Sequence, residues 1–204
     1  DLHPRFNIAP SQILGTIDAR DGSRRWAPRR WGLVPSWAKD PDIGNRLINA
    51  RSETAAEKPS FRSALRQRRC IVPADGFYEW GHGSGNRRAP HWFQPEAGAM
   101  LAIAGLWEHW SSPEGEALET FTLLTTEANE CVSPVHGRMP VLLQAHHYDA
   151  WLDPTRNDPA DLRALVTDVP PTLRCTAVGP HVNDPRNEGP ECLHAPETEP
   201  TLFP

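Results

Sequence analysis

The sequence lacks the features that identify most membrane proteins, nucleotide-binding enzymes and serine hydrolases. It contains no run of about 18 apolar residues, so we expect no transmembrane helix. We also see no signal peptide. It has no Gly-rich phosphate loop, no Gly-x-Ser-x-Gly elbow and no dinucleotide-binding fingerprint. These absences exclude the classes of function that such motifs carry.

Cysteine is scarce, with four residues and no Cys-x-x-Cys pair. Cys70 and Cys175 each lie in an apolar, strand-like run, where a buried free thiol is expected rather than a disulfide. The cysteine usage therefore indicates a reducing compartment, and we predict a cytoplasmic location.

Metal-binding spacing is also missing. The nine histidines include the adjacent pair His146 and His147, and Cys131 lies five residues before His136. Neither arrangement fits the ligand spacing of zinc sites, so the sequence predicts no metal.

Long helical patterns are rare, and 22 prolines are spread along the chain, which favours short strands joined by fixed turns. Runs rich in β-branched and aromatic residues predict strands at Gln12–Ile17, Arg30–Val34, Cys70–Ala74, Gly76–Trp80, Trp92–Gln94, Met100–Trp107, Thr120–Thr125, Val141–Leu143 and Thr172–Val178. Helices are predicted at Ser60–Arg69, Gln144–Leu152 and Ala160–Val166. Asp158-Pro159 supplies an N-cap and a first-turn proline for the last helix.

These elements predict an α+β fold, a β-rich single domain with a bent, barrel-like, mainly antiparallel sheet and a few short helices. We assign residues 1–194 to the domain and residues 195–204 to a frayed C-terminal tail. The segment Gly81–Pro90 is predicted to be a mobile hairpin loop.

Lysine is rare, with two residues against nineteen arginines, and the charge is unevenly distributed. Residues 1–100 hold 16 Lys and Arg against 10 Asp and Glu, whereas residues 101–204 hold 5 against 16. A polyanion can therefore bind the first half although the whole chain carries a net charge of −5. Uneven surface charge without a partner is the alternative interpretation.

The first segment with chemical potential is Leu47–Thr54. Asn49 and Arg51 share a face if the backbone is extended, and both then point at one ligand. Asn offers a donor and an acceptor, and Arg offers a planar fork that fits phosphate. The alternative is an Asn turn followed by a surface pair of Arg51 with Glu53.

The second segment, Pro73–Trp80, places Glu79 between aromatic residues in a strand-like run. Burial there raises the pKa of a carboxyl group and suits it to general acid–base chemistry near neutral pH. The alternative is an edge strand from which Glu79 points to water.

The third segment, Pro134–Pro140, carries His136 before a glycine and next to Arg138. Histidine as a residue type suits acid–base roles, and Arg138 can hold a phosphate or disfavour the imidazolium form. A simple surface histidine is the alternative.

The fourth segment, Trp31–Trp37, contains two of the eight tryptophans. Trp31 is expected in the core. Trp37 follows a proline in a turn, where an indole can stack on an unpaired base, with core packing as the alternative. Four arginines lie just upstream and suggest a groove for a single strand: Arg24, Arg25, Arg29 and Arg30.

The order of several segments resembles the SOS response-associated peptidase (SRAP) family, which includes bacterial SOS-associated proteins and eukaryotic 5-hydroxymethylcytosine-binding-like proteins. The matching segments are RFNIAPSQ, WGLVPSWAKD, NARSETAAEKPSFR, RRCIVPADGFYEW, FTLLTTEAN, VHGRMPVLL and VGPHVNDPRNEGPEC, from Arg5 to Cys192. The resemblance implies a β-rich fold with a positively charged groove for single-stranded DNA. It also implies covalent capping of abasic sites, by an enzyme of peptidase- or lyase-like type, in the DNA damage response.

The resemblance also implies roles for individual residues. Asn49 matches the residue that positions the abasic sugar, Glu79 the proton shuttle of Schiff-base formation, and His136 the histidine beside the sugar. The implied DNA contacts are Arg51, Arg138, Trp37 and Pro10. No cofactor is implied.

Family members begin Met-Cys-Gly-Arg, and the exposed cysteine forms a thiazolidine with the abasic sugar. That cysteine lies about 30 residues before the RFNIAP-like segment, which here starts at Arg5. Either the cysteine lies upstream of this sequence, or the protein is a truncated form that retains DNA binding but lacks thiazolidine chemistry. The four cysteines present lie within the chain and lack the free α-amine that the reaction needs.

A non-catalytic single-stranded DNA-binding module and a thiol autopeptidase are the alternative functions. The expected partners are single-stranded DNA with abasic sites and replication-fork proteins, with no membrane. We expect a monomer in the cytoplasm, associated with the nucleoid.

Overall fold

Ten strands carry most of the regular structure in the computed structural model, which describes residues 3–20, 22–82 and 88–196. Within these ranges the strands are β1 (Ile13–Arg20), β2 (Ser23–Trp31), β3 (Asn49–Arg51), β4 (Arg69–Ala74), β5 (Phe77–His82), β6 (Arg88–Pro95), β7 (Leu101–Ser111), β8 (Ala117–Glu127), β9 (Arg138–Pro140) and β10 (Leu173–Ala177).

The helices are short, as the prolines suggested. They are α1 (Arg62–Gln67), α2 (Tyr148–Leu152) and α3 (Pro159–Val166), with 3-10 turns at Pro41–Arg46, Ala145–His147, Pro180–Asn183 and Pro190–Leu193. The predicted start of α3 is confirmed. The Asp158 carboxylate accepts from the backbone N–H of Ala160 at 2.8 Å, and Pro159 occupies the first turn, where no N–H is needed.

Five strands close into a barrel. β1 pairs with β2 and β4, β4 with β7, and β7 with β8, all antiparallel. β8 completes the ring through a short parallel pairing with β2, at Arg30–Thr120 and Trp31–Phe121. β3 and β9 then flank the C-terminal part of β8. This mainly antiparallel barrel with few helices confirms the predicted fold class.

A second, antiparallel sheet has the order β10-β6-β5. The β5–β6 pairing continues to His82 and Arg88, so both strands extend into the segment Gly81–Pro90 that we predicted to be a loop. Residues 83–87 of that segment, and residues 197–204 of the expected tail, lie outside the described residues.

The two faces of the barrel strands pack into separate cores, because successive side chains of a strand point to opposite sides. On β4, Ile71 joins the core between the barrel and the helices, with Trp151 and Leu162. Its neighbours Cys70 and Val72 instead join the core inside the barrel, together with Phe121, Ile103 and residues of the second sheet.

The other end of the barrel interior is charged. The Arg29 side chain is fully buried and contacts Asp18, Thr16 and Glu119, with its guanidinium 4.2 Å from the ring centre of Trp107. The sequence placed Arg29 in a DNA-binding groove, and that interpretation is wrong, because the side chain has no access to solvent. The carboxylates of Asp18 and Glu119 balance its charge.

Arg69 differs from the sequence-based expectation as well. We predicted it on a helix, but it begins β4 and is buried. Its guanidinium donates to the carbonyls of Leu65 and Arg66 at the end of α1 and to that of Trp151 in α2. Burial lowers the pKa of Arg69 to about 10. The side chain thus satisfies carbonyl groups that the helix ends leave free.

Two predicted strands are misplaced. β2 ends at Trp31, and the buried Leu33 and Val34 follow it outside the ladder, where the Val34 N–H donates to Thr120 Oγ1 at 2.9 Å. The strand predicted at Val141–Leu143 lies earlier in the chain, where β9 spans Arg138–Pro140. Within the predicted range, Leu142 forms only an isolated bridge with Ile103. Apolar runs predicted these strands. Residues that are buried outside a strand are apolar as well, so the runs alone did not distinguish the two cases.

The four cysteines are free thiols. Cys70 is buried as predicted, and burial raises its pKa to about 12. Cys175 is exposed, contrary to the prediction, because β10 is an edge strand on which every residue after Leu173 is exposed. Among the described residues, no helix has the length and apolar character to cross a membrane.

Candidate functional site

The strand β3 presents Asn49 and Arg51 on one exposed face, while Ala50 between them is buried. The alternation follows from the parallel pairing of β3 with β8, in which Asn49 lies opposite Leu123 and Arg51 opposite Thr125. The extended backbone that we considered for this segment is therefore present. An amide and a guanidinium stand two residues apart and are open to one ligand.

Glu79 lies in β5 on the same side of the strand as Phe77, which stacks on Phe93 with ring centres 5.2 Å apart. Its side chain keeps 23% of its surface exposed. Burial raises the pKa of the Glu79 carboxyl, and the neighbouring His136 opposes this rise without cancelling it. β5 is an edge strand, as the alternative interpretation supposed, but the Glu79 side chain is mostly buried and does not point into open water.

Glu79 and His136 are in direct contact. The distance from Glu79 Oε2 to His136 Nδ1 is 3.2 Å, and the carbonyl oxygen of Arg138 lies 3.0 Å from the same nitrogen. Since a carbonyl can only accept, this contact favours the tautomer with the proton on Nδ1. Nε2 of this half-exposed ring is then the nitrogen available to a ligand. A carboxyl group and an imidazole thus form an acid–base pair at the surface.

Arg138 and Glu53 tie this pair to β3. The guanidinium donates two bonds to the Glu53 carboxylate, at 2.7 and 2.9 Å, and one to the Thr125 carbonyl at 2.7 Å. The Arg138 bond lowers the pKa of Glu53. This ion pair, here called the Glu53–Arg138 clamp, crosses β8 and connects the segment after Arg51 with the segment after His136. Glu53 therefore pairs with Arg138 and not with Arg51.

Pro10 and Trp37 both lie beside the 3-10 turn Pro41–Arg46. Pro10 is exposed, and the next residue, Ser11, has a φ of +72° and bonds Asn45 Oδ1 through its hydroxyl at 3.0 Å. Trp37 is 59% exposed and borders a pocket of about 410 Å³ that Lys39 and Arg46 also line. Trp37 is therefore a surface residue, whereas Trp31 packs in the core, stacked on Phe121.

The arginines upstream of Trp37 are mostly engaged within the protein. Arg24 pairs with Asp149, Arg25 pairs with Asp18, and Arg29 is buried. Carboxylates within the protein thus neutralise part of the positive charge of residues 1–100. This half of the chain is therefore less available to a polyanion than its net charge suggests.

A further set of contacts supports the back of β5. The Asn7 amide nitrogen donates to the carbonyls of Val182, Asp184 and Asn187 at 3.0 to 3.1 Å. The Glu188 carboxylate accepts from Arg5 Nε at 2.8 Å and from the backbone N–H of Asn7 at 3.0 Å. We call the contact between Arg5–Asn7 and Val182–Glu188 the terminal clasp.

The terminal clasp reaches β5 on both sides of Glu79. Tyr78 donates its hydroxyl to the carbonyl of Phe6 at 2.9 Å, and Trp80 donates its indole N–H to Asn183 Oδ1 at 2.7 Å. Because Tyr78 and Trp80 point away from Glu79, the clasp fixes the strand from the face opposite the carboxyl group.

Sequence reasoning missed the roles of Glu53 and Asn7. Glu53 follows Arg51 by two residues, and this spacing signalled only a local pair. Asn7 stands in the RFNIAPSQ segment, but its partners lie at the other end of the chain and no local pattern reveals them. Among the described residues, a group with metal-ligand geometry lies outside this site, at His146, His147 and Asp168.

Comparison with known proteins places the chain in a family. The family model described as SOS response associated peptidase (SRAP) matches residues 1–185. The abasic site processing protein YoqW of Bacillus subtilis (strain 168) is 41% identical over 196 residues, covering 96% of this chain and 88% of that protein. The abasic site processing protein HMCES of Rattus norvegicus is 33% identical over 228 residues, covering 93% and 64%.

Solved structures show the same architecture. A protein from Bacteroides thetaiotaomicron superposes with a TM-score of 0.80 at 26% identity, covering 91% of this chain and 82% of that one. A protein from Bordetella bronchiseptica gives a TM-score of 0.72 at 31% identity, covering 84% and 86%. The chain belongs to the SOS response associated peptidase (SRAP) family.

Proposed function

We propose that this protein processes abasic sites in single-stranded DNA by forming a covalent DNA–protein crosslink. The relatives YoqW and HMCES are named abasic site processing proteins. The Glu79–His136 contact is the observation that carries the proposal. It supplies a carboxyl group of raised pKa and a histidine of defined tautomer at one exposed place.

The reaction joins the N-terminal cysteine of the full-length protein to the open-chain aldehyde of the abasic sugar. The neutral α-amine adds to the carbonyl carbon and gives a carbinolamine. A proton reaches the carbinolamine hydroxyl, which leaves as water, and an iminium forms. The cysteine sulfur then adds to the iminium carbon, and its proton is released, which closes a thiazolidine ring. The balance is amine, thiol and aldehyde giving thiazolidine and water.

The residues of the site divide these tasks. Glu79 donates the proton to the departing hydroxyl, because burial raises its pKa and the carboxyl group holds its proton more firmly than an exposed glutamate does. His136 acts beside the sugar through its free Nε2. Asn49 positions the sugar, and Arg51 on the same exposed face binds a DNA phosphate.

Binding of undamaged strand is assigned to the surface around the turn Pro41–Arg46. Trp37 is exposed and lines a pocket whose charged residues are Lys39, Arg46, Asp40 and Asp42. The indole suits base stacking, and the two cations are the groups there that can contact phosphate. Pro10 borders the same turn. Contacts with replication-fork proteins, the monomeric state, the location at the nucleoid and a direct phosphate contact of Arg138 stay predictions.

A denaturing gel tests the proposal. Full-length protein with its native N-terminus is mixed with a uracil-containing oligonucleotide that has been treated with uracil glycosylase. We expect a heat-stable shifted band, which the untreated oligonucleotide does not give. Absence of that band with a protein that still binds the strand would leave a non-catalytic DNA-binding module. Release of a peptide without any adduct would favour the autopeptidase.

The Arg51→Ala variant tests the binding side separately. A lost phosphate contact weakens affinity for undamaged single-stranded DNA and reduces the slope of log affinity against log salt by about 0.7. Fluorescence anisotropy at several salt concentrations measures both. Arg156→Ala, an exposed arginine outside the site, is the matched control and should change neither.

A further inference from the structure

His146, His147 and Asp168 form a cluster apart from the DNA site. Both histidines belong to the 3-10 turn Ala145–His147, and Asp168 follows the C-terminal end of α3. Asp168 Oδ2 lies 3.3 Å from His146 Nε2 and 3.1 Å from His147 Nε2. The ligand atoms of all three side chains lie within 4.8 Å of one another.

The carboxylate of Asp168 is oriented by its own backbone surroundings. The Val169 N–H donates to Asp168 Oδ1 at 2.8 Å, so the other oxygen, Oδ2, is left to face the two imidazoles. Gln144 fixes the same junction, because its amide nitrogen donates to the Val169 carbonyl at 2.7 Å. The Val169 bond also lowers the pKa of Asp168. Such outer contacts are what hold first ligands in place at metal sites.

The spacing of these atoms fits a tetrahedral ion. Bonds of about 2.0–2.2 Å from zinc to nitrogen or oxygen place neighbouring ligand atoms about 3.3 Å apart. The two observed distances from Asp168 Oδ2 agree with that value. Two imidazoles with one carboxylate favour a transition metal over magnesium or calcium, which prefer oxygen ligands.

We infer that His146 Nε2, His147 Nε2 and Asp168 Oδ2 bind one divalent transition-metal ion of the zinc type, with water completing the coordination. The sequence predicted no metal because the third ligand is distant in the chain and the two histidines are adjacent, a spacing that standard zinc motifs do not use. The site shares no residue with the proposed DNA site, so the two proposals stand or fall separately.

An ion bound by this cluster would connect the two ends of the segment that contains α2 and α3. Residues 144–147 precede α2, and residues 168–169 follow α3, so the ion joins the two ends of the helical segment. That segment contributes Trp151, Leu162 and Leu165 to the core between the barrel and the helices. An ion bound only by the folded state stabilises this packing, and above the Kd the stabilisation grows with the logarithm of the ion concentration.

Titration of the purified protein with Zn²⁺ and with Co²⁺ tests the site. We expect one ion per chain by calorimetry, visible absorption bands typical of tetrahedral Co²⁺, and a Tm that rises with Zn²⁺ and returns after chelation. Asp168→Asn, which retains an oxygen to accept the Val169 N–H, and His147→Gln should each weaken binding by at least about 10-fold. His194→Gln, a histidine exposed elsewhere, is the control and should bind normally.

Two outcomes would overturn the inference. One is binding that is equally strong in Asp168→Asn, His147→Gln and the parent protein, which would mean adventitious contact with surface histidines. The other is full loss of binding in His194→Gln, which would move the site. The Tm of each variant is measured without metal and compared with that of the metal-free parent protein. An unchanged Tm shows that a loss of binding does not come from a loss of folding.

Discussion

At the scale of single residues, the Glu79 carboxyl group is held between two opposing influences. Burial against the aromatic residues of the second sheet disfavours its charged form, and the contact with His136 favours it. Burial dominates, so the pKa stays above that of an exposed glutamate. A proton is therefore present on this group at a pH where ordinary surface carboxylates have lost theirs.

Glu79→Gln should slow crosslinking while leaving DNA affinity nearly unchanged, because the amide keeps the size of the side chain but cannot supply a titrating proton. General acid catalysis typically contributes on the order of 10²–10⁴ in rate. The wild-type rate should fall on the alkaline side as Glu79 ionises, and the variant should lack this limb. Single-turnover time courses between pH 5 and 8 measure both effects. A wild-type rate throughout that range would make Glu79 a structural residue.

The sequence predicted part of this site. Asn49 and Arg51 share a face because their spacing alone determines it once the strand is extended. The Glu79–His136 contact joins β5 of the second sheet to the loop before β9 of the barrel sheet, and only the assembled fold brings these segments together. Arg69 was placed on the polar side of a helix, since nothing local distinguishes it from the exposed arginines around it.

At the scale of elements, the Glu53–Arg138 clamp sets β3 against the loop that carries His136. It is a bidentate, charge-assisted pair in a partly buried setting, with 24% of the Arg138 side chain and 35% of the Glu53 side chain exposed. Since Asn49 and Arg51 precede Glu53, and His136 precedes Arg138, the clamp controls the distance between two sets of proposed ligand contacts.

Glu53→Gln and Arg138→Gln should each slow crosslinking, by the same factor, and the double variant should be no slower than either. The reason is that each change removes the same bond and loosens the same geometry. Single-turnover rates of the four proteins test this. A further loss in the double variant, with a flatter salt dependence for Arg138→Gln, would instead assign Arg138 to a direct phosphate contact.

Elements were predictable where their signals are local. The start of α3 follows from Asp158 and Pro159, which act within one turn. The end of β2 did not follow, because Leu33 and Val34 look like strand residues and only Thr120, on β8, shows where the Val34 N–H is satisfied. Closure of the barrel rests on the same non-local pairing of β2 with β8.

At the scale of the whole molecule, the barrel is apolar at one end of its interior and charged at the other. Arg29 and Asp18 have essentially no solvent exposure there, with 0% and 1% of their side chains accessible. A buried pair of this kind contributes little by itself, but removal of Arg29 leaves the buried Asp18 carboxylate with only the more exposed Arg25 and Arg20 as partners.

Arg29→Met should therefore destabilise the protein by about 3–5 kcal/mol. Replacing Asp18 with Leu in the same chain should recover part of the loss, since the buried carboxylate that lost its buried partner is then gone. Urea unfolding followed by tryptophan fluorescence measures the free energy of unfolding. Arg24→Met, which breaks the exposed pair with Asp149, is the control and should cost less than about 1 kcal/mol. Equal unfolding midpoints for Arg29→Met and Arg24→Met would contradict the buried network.

The terminal clasp also imposes an order on biosynthesis. Arg5–Asn7 leave the ribosome before all ten strands, but their partners at Val182–Glu188 follow those strands in the sequence and emerge after them. Strands β1 to β8 are complete by then and are available to pair. The strands are thus made before Arg5–Asn7 can be fastened, and a nascent chain carries this segment unfastened until Val182–Glu188 have emerged.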